Sequence, residues 1–301
     1  MPTVRAYLEQ TRQRLSPGRR DVLNKLDGAI ANGTATSFTF AYDAGVVAGT
    51  RVSVGVEDIH LWEASSVVAS PVERGINAST AVAHADDLVV RMDPEFSDWD
   101  ILRAFNETLH ALPGWGVYKY DKVNLTSNAA KVGYNLTSVT DMFDVFRVRY
   151  EVPGGEDAWV DIPRYTHALG GWRSYQNEST DDFASGEAIM VHGHVPSGQR
   201  LQVHYRAPFT QFAFATDADL DDDIETQSSL PPFAHPLLAV GAAIRLTQGR
   251  ALQRSDLSAQ GATRRPDEVT TGDTRAAGDP LTREWLTLVR GVVKQQRQKA
   301  N

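Results

Sequence analysis

The sequence predicts an α+β protein: a helical core with a small β meander, interrupted by an inserted β-sandwich-like domain. Three observations predict it. Apolar residues recur at helical spacing near both ends of the chain and after residue 97. Over residues 36–92, and again over 115–214, the period falls to two, with Gly, Pro and Asp turns between the runs. Helical segments flank the second β block, so the core is discontinuous. Its predicted extent is 1–114 plus 209–301, with a C-terminal arm over 251–301, and the insertion spans 115–208.

The N-terminus reads as two helices. Val4, Tyr7, Leu8 and Leu15 mark the first, and Ser16-Pro17 supplies an N-cap and a first-turn proline for the next. Val22, Leu23, Leu26, Ala29 and Ile30 form its stripe, and Asn32-Gly33 stops it. Alternation at 37–42, 51–54 and 58–62 then predicts short strands of a meander or small barrel. Ser97-Asp98-Trp99-Asp100 has the form of a capping box, followed by Ile101, Leu102, Phe105, Leu109 and Leu112 on one helical face and a Pro113-Gly114 stop.

In the insertion the strand candidates are 115–120, 131–136, 143–152, 159–165, 187–195 and 201–209, with turns at Pro153-Gly154-Gly155 and Pro196-Ser197-Gly198. Roughly seven strands in about a hundred residues suits a β-sandwich. An acidic run over 217–225 leads to Leu230-Pro231-Pro232. Residues 236–249 read as a helix apolar almost all round, and Gly241-Ala242-Ala243 within it allows close backbone approach. Residues 253–278 read as a polar, aperiodic arm. Asp279-Pro280 then caps a last helix with Leu281, Trp285, Leu288, Val289 and Val292 on one stripe. Arg290, Lys294, Arg297 and Lys299 near its end suit the helix dipole.

The chain has 301 residues, a formal net charge of −8 and no cysteine. Net negative charge disfavours a protein that grips DNA, since phosphate binding depends on Lys and Arg. Without cysteine there is no disulfide, thiolate nucleophile or thiolate metal site. No run approaches the ~18 apolar residues of a membrane span, and the first residues lack the blocks of a signal peptide. A cytoplasmic site of synthesis is expected.

Catalytic motifs are wanting. Gly186-x5-His192-x-His194 places two imidazoles on one strand face, with His204 as a possible third metal ligand, and resembles the opening of the cupin motif. The glutamate that should follow is missing; Ser197, Gly198 and Gln199 stand there. The acidic run fails as an EF-hand loop because glycine and glutamate are absent at its sixth and twelfth positions. There is no Gly-x-Ser-x-Gly elbow, phosphate loop or His-Glu-x-x-His helix. Glu57-Asp58 and Asp86-Asp87 are sequence neighbours that a strand turns to opposite faces. No catalytic, cofactor or metal residue is assigned, and no enzyme activity is expected.

Three segments together resemble the head-to-tail adaptor (head completion) proteins of long-tailed phages, particularly those infecting actinobacteria. The first, 46–112, holds Gly49-Thr50-Arg51-Val52-Ser53-Val54-Gly55-Val56-Glu57, then Glu73-Arg74-Gly75, a Thr/Ala-rich stretch, His84-Ala85, Leu88-Val89-Val90-Arg91 and the capped helix. The second is Leu230-Pro231 with Gly241-Ala242-Ala243-Ile244-Arg245-Leu246. The third is residues 267–273 leading into the basic terminal helix. The likeness covers about two-thirds of the chain and is poorest over 1–35; residues 75–80 depart from the family's usual loop.

The resemblance implies a helical adaptor core that assembles into a ring, usually of twelve copies, seated on the portal protein at the neck of the virion. A downstream neck or tail-completion protein would sit on the opposite face. DNA would pass through the lumen without sequence-specific binding, and assembly would occur in the host cytoplasm, with no membrane partner. The arm and terminal helix would reach the portal, with Leu281, Trp285, Leu288, Val289, Val292, Arg290, Lys294, Arg297 and Lys299 as docking candidates. An apolar stripe must be buried against something, and packing on its own domain is the other reading of those residues. Two alternatives have different signatures. A surface or tail binding module would expose Trp159, Trp172 and Tyr175 as a sugar platform; a metal enzyme would gather His192, His194 and His204.

Overall fold

Residues 1–117 with 210–301 form one unit, and residues 118–209 a second. The computed structural model describes residues 2–15, 21–128, 130–136, 139, 141–154, 158–165, 170–176, 178–193, 195–260 and 272–300, with backbone alone at 249–260, 272–279 and 299–300. Helix takes 31% and antiparallel strand 30%, so the fold is α+β as predicted. No described helix is long and apolar enough to cross a membrane.

The first unit opens with α1 (Val4–Leu15), followed by β1 (Val22–Lys25), β2 (Phe38–Thr39), β3 (Arg51–Val54), β4 (Glu57–Leu61), β5 (Ala64–Ser65), β6 (Val68–Ala69), β7 (Val72–Glu73) and β8 (Val89–Met92). One antiparallel sheet runs β1-β8-β3-β4-β7 and a small one runs β2-β6-β5. Phe38, Phe40, Val52, Val54, Ile59, Leu61, Val90 and Met92 fill the core between them. Helix α2 (Asp98–Ala111) follows, then the one-turn α3 (Ile224–Ser228) and the long α4 (Pro236–Gln260) and α5 (Gly272–Ala300).

The predicted second helix over 22–30 is a strand and its extension. Residues 22–25 pair antiparallel with β8, and Leu26 and Ile30 continue as isolated bridges to Phe40 and His84. The stripe arises differently from the expected helix. Leu26 and Ile30 enter the sheet core, while Val22 and Leu23 are exposed. Asn24 is buried and donates to the carbonyls of Tyr42 (2.7 Å) and Ala44 (3.1 Å). Sheet pairing overrides the helical period there. The Ser16-Pro17 cap lies outside the described residues.

α2 starts as its sequence predicts. Ser97 Oγ accepts from the Asp100 amide at 3.0 Å, and Asp100 Oδ2 accepts from the Ser97 amide at 3.3 Å. It ends in a 3-10 turn over Leu112–Trp115 with Gly116 at φ +80°. That turn displaces the strand expected at 115–120 to 119–126. α4 packs on α1, α2 and α5. It extends to Gln260, and α5 begins at Gly272 with Pro280 in its interior, so much of the predicted arm is helical. Polar residues such as Gln253, Arg254 and Arg275 are good helix formers even without an apolar stripe. Residues 261–271, including most of the third resembling segment, lie outside the described residues.

In the second unit β9 (Lys119–Thr126), β10 (Gly133–Asn135), β11 (Asp144–Glu151), β12 (Trp159–Ile162), β13 (Gly171–Tyr175), β14 (Ala188–His192) and β15 (Arg200–Ala207) form two antiparallel sheets, β12-β11-β15-β9 and β10-β14-β13. Both contribute to one core: Val145, Val148, Leu201 and Val203 from the first, Trp172, Ile189 and Val191 from the second. β13 went unread because Gly170-Gly171-Trp172-Arg173 carries no period-two alternation.

Gly241 shows how tightly the helices meet. A Cβ there would lie 2.5 Å from Thr108 Cγ2 on α2 and 2.8 Å from the Trp285 ring on α5. Gly241→Ala therefore forces the helices apart and is expected to destabilise the unit by about 1–3 kcal/mol, despite alanine's better helix propensity. A thermal melt equal to or above that of the wild type would contradict this packing.

Candidate functional site

Glu57, Arg74, Gly75 and His84 of the first resembling segment meet Asp217 in one buried network. Glu57 opens β4 with its side chain fully buried. Arg74 Nε and Nη2 each donate to one of its oxygens at 2.6 Å. The amides of Gly75 (3.0 Å) and Val82 (3.2 Å) donate to the same carboxylate. His84 lies between two acids, with Nε2 2.9 Å from Glu57 Oε2 and Nδ1 2.7 Å from Asp217 Oδ2. Asp217 Oδ1 also accepts from the Val56 amide at 3.1 Å. A Cβ on Gly55 would fall 1.8 Å from that oxygen, and its φ is +55°, so glycine is required twice over.

Both His84 nitrogens face carboxylates, which favours the doubly protonated ring. Burial opposes the charge, but hydrogen bonds to Asp217 and Glu57 outweigh it and raise the His84 pKa above 6.5. Burial likewise pushes Glu57 up; hydrogen bonds from His84, Arg74 and Val82 prevail and hold it below the ordinary value. The arrangement uses these donors and acceptors to hold the 74–84 loop and the 217–220 turn against β4.

Asp58 turns to the other face of β4, as expected of adjacent strand residues, but that face is buried too. Its Oδ2 accepts from Ser97 Oγ (2.8 Å) and Asn77 Nδ2 (3.1 Å), and Ser79 Oγ accepts from its amide at 3.0 Å. Oδ1 is buried without a partner. Burial raises the Asp58 pKa to about 6, against the hydrogen bonds from Asn77 and Ser97. Glu57, Asp58 and Asp217 were not identified as site residues from sequence; the adjacent Arg-Gly and distant His of the resembling segment were the available signal.

The terminal helix divides its predicted docking residues. Trp285, Val289 and Val292 are buried inside their own unit, and Leu281 and Leu288 are half-buried. Arg290, Lys294 and Arg297 are exposed; the Lys299 side chain lies outside the described residues. With Trp115, Leu286, Val289 and Val293, these three basic residues line a groove of about 640 Å³. Trp115 is 49% exposed and meets the Trp285 ring edge to face at 6.3 Å. The floor is apolar and the rim basic, and residues 285–298 contain no acid. Leu286 and Val293, seven apart on one helical stripe, were the legible signal for this groove. Trp115 was hidden by its strand-like neighbours.

No family model matches this chain, and no curated protein matches it.

The alternative signatures are not assembled. His192 is exposed on β14 beside Tyr165, whereas His204 is on β15 of the other sheet; His194 lies outside the described residues. Among the described residues, no group of three His, Cys, Asp or Glu is placed to hold a metal. Trp172 is 2% exposed in the sandwich core, and Trp159 lies between Arg149 and Arg200. These two tryptophans and Tyr175 therefore share no exposed platform.

Two stability tests follow from the network. Glu57→Gln leaves Arg74 and His84 short of a buried counter-charge and is expected to cost about 3–5 kcal/mol in urea unfolding; a loss below ~1 kcal/mol would refute the network's integrity. Glu57 itself, with its lowered pKa, supports the fold above pH ~4.5 and loses that support as pH falls through its folded pKa; His84, raised, supports it below ~6.5 and loses that support as pH rises through its own. Asp58 has the His84 sign: the folded state holds its proton more tightly, so stability is lost as pH rises from 3.8 to about 6. Asp58→Asn removes that slope. Its stability should therefore gain on the wild type across this window and plateau above it; a pH-independent difference would exclude the shift.

Proposed function

We propose that this chain is a structural component of a long-tailed phage neck: a head-to-tail adaptor that forms a ring between the portal and the next neck protein, through which DNA passes. The groove along α5 is its portal-facing dock. One observation carries the reading. A terminal helix already anchored by Trp285, Val289 and Val292 presents a second, open stripe beside the exposed Trp115, rimmed by Arg290, Lys294 and Arg297. Tryptophan and arginine are the residues that most often dominate interface energetics, and a basic rim favours a partner segment that is apolar and acidic.

The buried network supports the same reading from another side. Arg74, Gly75 and His84, which carry the resemblance, hold a loop onto a sheet and leave no reactive group in a cleft. That is how a scaffold uses such residues. The net charge of −8 suits a lumen that lets DNA slide without gripping it.

Deleting α5 would remove Trp285 from the core and unfold the unit, so the dock is tested at its surface. Trp115→Ala combined with Arg290→Glu, Lys294→Glu and Arg297→Glu should weaken binding to purified portal rings at least ~10-fold, the scale of one lost hot spot. The variant should melt somewhat lower, having lost the Trp115–Trp285 contact and placed acids near a helix C-terminus, but remain folded at the assay temperature by circular dichroism. Undiminished binding by the folded variant would reject the dock. Locating the chain away from the portal vertex in virion images would reject the adaptor.

A further inference from the structure

The second unit carries a charge segregation that the portal dock does not use. Core side chains alternate along β15, so Arg200, Gln202, His204 and Arg206 point away from the core shared with the other sheet. Register places Lys122 opposite His204 on β9, and Arg147 opposite His204 and Arg149 opposite Gln202 on β11. Five of the nine basic side chains of residues 118–209 thus lie on one sheet face.

Three of them are answered there by acids: Arg147 by Asp161 (2.8 Å), Arg200 by Glu151 (2.6 Å) and Arg206 by Asp144 (3.1 Å). The other two have no carboxylate of their own, so five cations face three acids. Arg149 lies across from Asp161, which Arg147 already holds; it donates to the neutral Gln202 Oε1 at 2.6 and 2.8 Å and stacks on Trp159. Lys122 is exposed, with no carboxylate partner among the described residues. His204 registers the resulting field: burial, then Arg149, Arg147 and Lys122, depress its pKa to about 4.

The chain also has a surface of opposite sign. Residues 217–225 hold six carboxylates in nine positions. Asp217 is committed to His84, Asp219 accepts from the Thr216 amide at 2.8 Å, and Asp221 is neutralised by Arg5 at 2.7 Å. Asp222 and Glu225 remain exposed; among the described residues, Asp222 accepts its side-chain hydrogen bond from the neutral Gln227 at 2.8 Å. Copies that each carry −8 repel one another, and a contact that brings unlike charges together offsets that repulsion.

We propose that the outward face of the four-stranded sheet in one copy docks the 217–225 turn of a second copy, with Lys122 and Arg149 meeting Asp222 and Glu225. This rests on the ring reading and names its subunit contact. It is tested on the full chain by sedimentation at low salt, alone and with portal rings. Lys122→Glu with Arg149→Glu, or Asp222→Lys with Glu225→Lys, should each weaken self-association at least ~10-fold. All four changes together should restore it. Circular dichroism should show each variant folded. Lys122, Asp222 and Glu225 are exposed, whereas Arg149→Glu also gives up its bonds to Gln202 and its stacking on Trp159. Lys122→Glu alone therefore serves as the check, with a smaller loss of self-association in the same direction.

Self-association that neither reversal weakens overturns this contact and leaves the ring standing. A wild-type chain that stays monomeric both alone and on portal rings removes the ring and the contact together. If the wild type instead binds a DNA oligonucleotide in a salt-sensitive manner, Lys122→Glu with Arg149→Glu abolishes that binding, and self-association is untouched, the face takes nucleic acid and the contact is wrong.

Discussion

Glu57 is a carboxylate with no exposure at the head of β4, and the first unit is arranged around that constraint. An isolated buried charge is expensive, and breaking a buried pair costs far more than replacing it whole. Every partner the carboxylate recruits therefore becomes fixed in place. Arg74 supplies a two-pronged guanidinium, the Gly75 and Val82 amides close the loop that follows β7, and His84 passes the constraint to Asp217. Segments more than a hundred residues apart are thereby joined at one carboxylate. Irregular backbone over 74–84 has no ladder to define it, and this network supplies the definition.

From β4 the constraint travels outward through α2. Asp58, facing the opposite way, takes the hydroxyl of Ser97, the residue that caps α2. The helix start is thus tied to the same strand as the charged network. α2 then presents Thr108 to Gly241 of α4, and the absence of a side chain there admits Trp285 of α5. Trp285 in turn meets Trp115, at the far end of α2's closing turn. The groove at α5 is the last link in a sequence of contacts that begins with a buried acid.

How much of this was legible depends on whether the signal was local. The α2 capping box, the alternation of β3 and β4, and the small-residue run at 241–243 are properties of neighbouring residues, and the sequence shows them. β1 was misread because Leu26 and Ile30 share a helical spacing that their sheet and bridge pairings happen also to satisfy. The link from Glu57 through His84 to Asp217 is invisible to any period. Adjacency sends Glu57 and Asp58 to opposite faces, but it does not show that both faces are buried, Asp58 beneath Ser97 at the start of α2. In the acidic run, so dense a set of carboxylates fits a solvated turn or a helix start; Asp222 is exposed before α3 and Glu225 is exposed in its first turn. Asp217 differs only in the partner that the fold brings to it.

Charge placement also bears on the symmetry of the proposed assembly. A contact between two different patches can repeat in two ways. In a two-fold pair, each copy's Lys122 and Arg149 face meets the other's 217–225 segment, and the two contacts use up both patches. In a head-to-tail series each copy offers one patch forward and one back, and a rotation that closes gives a ring. Unlike charges meet in either arrangement. Charge placement opposes only the contact of a patch with its own kind, where like charges would be juxtaposed. Within the adaptor reading it is the ring that requires the head-to-tail form, in which each copy keeps one patch of each sign for its next neighbour.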